Sequence, residues 1–296
     1  MITPSIALEI LVTVFALVVA PLAGGLLFGI DRKLTARLQN RIGPPIVQPF
    51  YDFIKLWNKD QIFANRSQLI YVYVHLGAAM ASLVLLVWQQ DMLVILFTLA
   101  LGGISLVLGG FSVRSPYSQI GSQRELLQML AYEPMLVLAA VGFYLVTGSF
   151  LVAAVFARGT PLLFELPVIA LSFVLVLGIK LRKSPFDIAA AGHAHQELVR
   201  GLLTEYSGRY LALIEMAHWY ELLLVLGIIS LFWANPLVVG FGLSLLLYFL
   251  VILIDNAVAR LTWTSMLKIT WSWGAGLSVL NLAAIYVLSY LGWIGG

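Results

Sequence analysis

The sequence predicts an all-α, polytopic membrane fold of eight transmembrane helices plus one interfacial amphipathic helix, and three observations predict it. Hydrophobic residues make up 61% of the 296-residue chain, charged residues only 10%, and the mean hydropathy is +0.98. A soluble surface needs roughly a quarter of its residues charged, so lipid must solvate much of this chain. Apolar runs recur at about the 20 residues needed to cross the hydrocarbon layer. Sixteen of the 17 basic residues fall in or at the edge of four connecting segments.

The runs lie at 6 to 30, 68 to 88, 91 to 111, 126 to 147, 162 to 181, 210 to 233, 236 to 254 and 271 to 293. The first is too long for a signal-peptide core and has no basic stretch before it, so it reads as a span, kinked at Pro21. Very short joins, Gln89-Gln90-Asp91 and Ala234-Asn235-Pro236, alternate with long polar ones at 31–67, 112–125, 182–209 and 255–270. The long loops therefore share one side, and their basic residues make that side the cytoplasm, with both termini outside and Arg158 alone opposite. The location is a plasma or inner membrane. No linker or repeat divides the chain, so residues 1–296 form a single membrane domain.

Within the first long loop, Ile46, Phe50, Phe53, Ile54 and Trp57 alternate at helical spacing with Gln48, Asp52, Lys55, Asn58 and Lys59. This predicts an interfacial helix opened by Pro44-Pro45. A soluble, partner-facing helix has the same pattern.

The chain contains no cysteine, which rules out thiolate-held clusters, nickel and disulfides within it; its own cofactor content is expected to be none. The net charge of +3 belongs to membrane topology rather than to nucleic-acid binding. No Walker A, dinucleotide or nucleophile-elbow motif is present. His193, His195, Glu197 and Glu205 offer possible metal ligands but lack a zinc motif, and no metal is expected.

Acids inside spans are costly and therefore candidates for function. Glu133 sits early in the fourth span, with Arg124 and Glu125 before it; the two acids, eight residues apart, share a helix face about 12 Å apart. Glu215, His218 and Glu221 follow at i, i+3 and i+6, a column suited to passing protons. The competing reading makes each acid the structural partner of a base on a neighbouring helix, as near the span ends for Glu9 and Glu165. The segment from Lys180 to Gly208 concentrates Asp187, Glu197, Glu205 and five bases.

Arg37-Leu-Gln-Asn-Arg41-Ile-Gly43-Pro44 resembles the loop after the first helix of the membrane subunit that anchors the peripheral arm in respiratory complex I and energy-converting hydrogenases. Ser122-Gln-Arg124-Glu125, Tyr132-Glu133, Pro185-Phe186-Asp187, Gln196-Glu197-Leu198-Val199, Glu205-Tyr206-Ser207-Gly208 and Asp255-Asn256-Ala257 follow in that family's order. Complex I members carry a glutamate where this chain has Lys180, and more glutamates where it has Ala189 to His195. Lys183 to Asp187, His195 to Val199 and Ala212 to Glu221 are instead similar to the membrane subunit of Ech-type nickel–iron hydrogenases.

The resemblance implies a non-redox subunit of a ferredoxin-linked hydrogenase that pumps H⁺ or Na⁺. Its nickel–iron centre and iron–sulfur clusters lie in partners: the large and small hydrogenase subunits and a ferredoxin-like iron–sulfur subunit, with antiporter-like subunits beside it in the membrane. The same resemblance assigns docking to Arg37, Arg41, Gly43, Pro44, Pro185 and Phe186, and a charged path to Arg124, Glu125, Glu133, Asp187, Glu197, Glu205, Glu215, His218 and Glu221. Alternatives are a quinone-chamber subunit of an NADH:quinone oxidoreductase, a formate hydrogenlyase subunit and, in a different class, a secondary transporter, which would show matched helix breaks in two halves.

The topology is testable in this cysteine-free chain. Cysteines placed at Thr3, Gly159 and Gly295 are expected to react with a membrane-impermeant maleimide in intact cells, and one at Asn58 to stay unlabelled; labelling of the Asn58 site alone reverses the orientation.

Overall fold

The computed structural model describes residues 4–62, 64–189 and 200–291. Among them the regular structure is helical, with a single isolated bridge between Asp91 and Leu151. Seven helices are long and apolar enough to cross a membrane. The eighth expected span, α7 (Pro167–Lys180), has 14 residues, or about 21 Å of helix, and is short for the hydrocarbon layer. It needs no full lipid-crossing length, because Ile169, Phe173, Val176 and Leu177 are completely buried by its neighbours.

Several helices run beyond their apolar stretches. The first, α1 (Pro4–Leu38), has 35 residues, about 52 Å, so Asp31, Arg32 and Arg37 ride on its last turns instead of in a loop. It passes unbroken through Pro21. The fifth, α5 (Pro116–Thr147), starts with Pro116 in its first turn and ends at Gly148 (φ +74°). Most of the expected 112–125 loop is therefore its first turns, and Arg124, Glu125 and Glu133 stand on one continuous helix. The expected 255–270 loop shrinks likewise, since α9 (Leu237–Ala257) and α10 (Trp263–Ile269) take most of it. Hydropathy reports lipid contact, whereas a helix persists wherever its backbone hydrogen bonds continue.

The interfacial helix is present as α2 (Gln48–Trp57), with Pro49 rather than Pro44-Pro45 in its first turn. Phe50 and Phe53 lie 5.4 and 5.8 Å, ring to ring, from Trp219 on α8 (Gly208–Ser230), while Tyr51, Ile54 and Trp57 face outward. The helix is thus pinned along the bundle wall by aromatic packing.

Helix α8 stands at the centre, against α1, α2, α9 and α3 (Ser67–Val87). α3 pairs closely with α4 (Met92–Phe111), because Gly102 leaves room for Ala78 and His75. Leu11, Phe15 and Val18 on the outer face of α1 are exposed, as lipid contact requires. A short α6 (Val152–Ala157) precedes α7, and α11 (Leu277–Tyr290) follows a π-helical stretch at Thr270–Gly276.

Gly29 is buried where α1 meets the loop leading to α2, and a Cβ there would overlap the Ile46 carbonyl. Gly29→Ala is expected to destabilise the purified protein by about 1–3 kcal/mol in detergent melts, whereas Gly77→Ala, with nothing near its added methyl, should lose nothing. Equal melting of the two variants would contradict this packing.

Candidate functional site

The sharp turn after α7 builds the site. Backbone N–H groups of Arg182 and Lys183 bond back to the Ile179 and Gly178 carbonyls at 3.0 and 2.9 Å, and Arg182 takes the left-handed conformation (φ +52°). Phe186 then packs onto Gly178, and the Gln128 amide donates to the Phe186 carbonyl. The reversal aims three consecutive cations in three directions.

Lys180 Nζ meets Glu221 of α8 at 2.9 Å and the Tyr132 hydroxyl at 3.5 Å. Arg182 donates to Glu125 of α5 at 3.1 Å, with its other terminal nitrogen 3.4 Å from His218 Nε2. Lys183 joins Asp31 of α1 at 2.7 Å and Asp255 of α9 at 3.1 Å, and Asp255 also accepts from the Ser184 backbone N–H at 2.9 Å. Just downstream, Asp187 meets Arg260 at 3.1 Å. Burial alone would lower the Lys183 pKa, but the two carboxylates outweigh it and hold it above the ordinary lysine value. Each of these cations is desolvated and stable as an ion only because an acid faces it.

Inside this ring of pairs is a cavity of about 390 Å³. Eleven of its 17 lining residues are ionisable, among them Lys180, Arg200, Glu215, His218 and Asp255, so it is a space for water and ions rather than for an apolar tail. A second, of about 300 Å³, continues under α2 past Arg32, Glu215 and Trp219.

The expected path residues divide. Glu125, Asp187, Glu215, His218 and Glu221 converge on the ring or its cavity. Arg124 bonds the Ile188 carbonyl at 3.3 Å beside it. Glu133 is part-buried further along α5, and its Oε1 has no hydrogen-bond partner among the described residues. Glu205 lies in the turn before α8 and lines neither cavity. Glu197, with His193 and His195, lies outside the described residues. The structural-pair reading holds for Glu221 with Lys180 and for Glu165 with Arg158 at 2.6 Å.

Of the docking residues, Arg37, Arg41 and Gly43 are exposed and Pro44 half-buried, with Gly43 in the left-handed region (φ +74°) and Ile42 projecting beside them. Pro185 and Phe186 are buried and offer no docking surface; their apolar rings pack inward to hold the turn.

Asp31, Lys183 and Asp255 as a three-part clasp, and His75, were not singled out from the sequence. His75 carried a signal, since a histidine inside an apolar span has to be justified by a partner. His75, His218 and Glu221 each bring one ligand atom to within 4.8 Å of the others, a spacing that could hold a cation. The adjacent charges of Lys180 and Arg182 oppose one, and Glu221 is already engaged by Lys180.

Comparison with known proteins places this geometry in context. The family described as NADH dehydrogenase matches residues 9–286. The chain is 30% identical to hydrogenase-4 component C of Escherichia coli K12, over 89% of this chain and 91% of that one. It is 31% identical to a membrane component of the NADH-quinone oxidoreductase of Cereibacter sphaeroides, over 94% and 95% of the two chains. It is 28% identical to formate hydrogenlyase subunit 4 of Escherichia coli K12, over 88% and 93%. In fold it is similar to a chain of an archaeal membrane-bound sulfane sulfur reductase complex, with a TM-score of 0.84 at 24% identity, covering 94% of this chain and 99% of that one.

Lys180→Met leaves Glu221 charged and unpaired in the interior, which is expected to cost about 3–5 kcal/mol in detergent unfolding. Adding Glu221→Gln should recover most of that loss. A double variant no more stable than Lys180→Met would show that the two groups are not partners.

Proposed function

This chain belongs to the NADH dehydrogenase family of membrane subunits of respiratory oxidoreductase complexes, and from that footing we propose that it anchors and couples a ferredoxin-linked nickel–iron hydrogenase that pumps H⁺ or Na⁺. The observation that carries the reading is the turn at Lys180–Lys183, whose cations hold acids from four different helices around a polar cavity. A charge change at the redox arm docked over Arg37, Arg41, Gly43 and Pro44 would be felt at once by α1, α5, α8 and α9. The hydrogenase large and small subunits and an iron–sulfur subunit would supply the nickel–iron and iron–sulfur chemistry, since this chain has no cysteine to hold a cluster.

In this chain the residues hold and move protons. Glu215 and Asp187 face the cavity and receive them; His218 and Glu221 stand at its inner wall. Lys180 connects Glu221 to the Tyr132 hydroxyl, and its charge also acts on Glu133. Glu133 carries the path along α5 toward antiporter-like neighbours. The sign of the coupling is electrostatic: if Lys180 shifts from Glu221, that carboxylate gains affinity for a proton, and when the pair re-forms the proton is expelled.

The relative from Cereibacter sphaeroides, part of a quinone oxidoreductase by its name, favours a second reading as a quinone-chamber subunit. Lys180 and the other ionisable residues of the main cavity favour ions over an isoprenoid quinone.

Glu133→Gln keeps shape and hydrogen bonding but cannot ionise. The complex should assemble and transfer electrons, while ferredoxin-driven ion uptake into inverted vesicles falls by about two orders of magnitude. Assembled variant complex that pumps at the wild-type ratio would contradict the role of Glu133.

A further inference from the structure

His75 is buried at mid-helix in α3, 1% exposed, and takes no part in the path described so far. Its Nδ1 lies 2.9 Å from the Gly102 carbonyl of α4, which can only accept, so Nδ1 holds the ring proton. Nε2 is then left with a lone pair when the ring is neutral, and it has no hydrogen-bond partner among the described residues. The His218 ring stands edge-on to it, 5.7 Å between centroids. A ring nitrogen of each histidine and a Glu221 oxygen lie within 4.8 Å of one another, a gap that one water bridges. The other charges facing His75 are Lys180 at the end of α7 and Arg182 in the turn after it; α4 offers it the Gly102 carbonyl.

We infer that His75 is a proton-carrying station of the path, exchanging a proton through Nε2 with His218 and Glu221. The inference rests on the coupling role proposed above. In the step, an N–H bond of protonated His218 breaks and one forms at His75 Nε2, directly or through one water, leaving His218 neutral and His75 an imidazolium. Its Nδ1–H still bonds Gly102. When Lys180 draws away from Glu221, the Nε2–H bond breaks and an O–H bond forms on that carboxylate. No electron moves. The tautomer fixed by Gly102 serves this exchange, because it keeps the accepting nitrogen turned away from α4. A proton held on the imidazole lets the Lys180–Glu221 pair stay closed until the turn moves.

His75→Asn in the assembled complex separates this from a purely structural role, since its side-chain amide keeps a donor for the Gly102 carbonyl but cannot be protonated. Ion uptake into inverted vesicles is expected to fall at least about tenfold, with assembly retained, and redox-induced infrared difference spectra should lose an imidazolium band. In His75→Ala, added imidazole should restore uptake. His75→Gln, which reaches the Nε2 position instead, gives the same two readouts if the Asn variant fails to assemble. Wild-type pumping together with an unchanged infrared spectrum in the variant would overturn the inference. If the wild-type complex itself moves no ions, the coupling reading fails, and the infrared band decides alone: its loss in the variant keeps His75 as a protonation site, and its persistence removes it.

Discussion

The structure depends on keeping charge buried in pairs at the turn that ends α7. Lys180, Arg182 and Lys183 are each shielded from solvent, and each is held by acids that come from other helices. Desolvating an ion costs several kcal/mol, and a partner within hydrogen-bonding distance offsets that cost only while the geometry lasts. The turn is therefore a clasp on four helices and also a sensitive one. At an effective dielectric near 20, a unit charge about 4 Å away is worth roughly 4 kcal/mol, enough to reopen any of these pairs. A membrane subunit that must feel redox events in a docked arm needs such a point, and the rest of the bundle is arranged around it.

From the clasp, polar groups continue inward along two directions. One runs from Lys180 through Tyr132 toward Glu133 on α5; the other crosses from His218 to His75 on α3. Both pass through a bundle whose remaining interior is apolar, with Phe143, Phe173 and Phe232 packed edge to face beyond them. Apolar packing fixes where the titratable groups sit, and their scarcity makes each a defined stop. The polar cavity opens on the same end of the bundle as the basic segments, so the docking loop, the cavity and the clasp form one continuous face.

Much of this was legible in the residues. Spans follow from the solvent they face, and α2 follows from the 3.6-residue alternation of Phe50, Phe53 and Trp57 with Asp52 and Lys55. The extensions of α1 through Asp31 and of α5 back to Pro116 were not legible, because polar residues on a helix end look like loop to any measure of hydropathy. The partners of Lys183 were hidden for a different reason: Asp31 and Asp255 stand 152 and 72 residues away, and only the tertiary fold brings them together. Pro185 and Phe186 belong to a surface motif by resemblance, yet the turn folds them inward. His75 was readable in principle, as a lone polar ring in an apolar run, and the structure supplies its partners.

The central claim is that this chain couples a hydrogenase-type redox arm to ion movement, and its physical company tests that most directly. Purifying the complex in mild detergent through a tag on this chain, identifying the companion polypeptides and measuring nickel gives the answer in one experiment. The account predicts nickel and iron in the complex, hydrogenase-like and iron–sulfur subunits, and antiporter-like membrane subunits. A complex with bound quinone and no nickel, or the chain alone as a transporter, would contradict it.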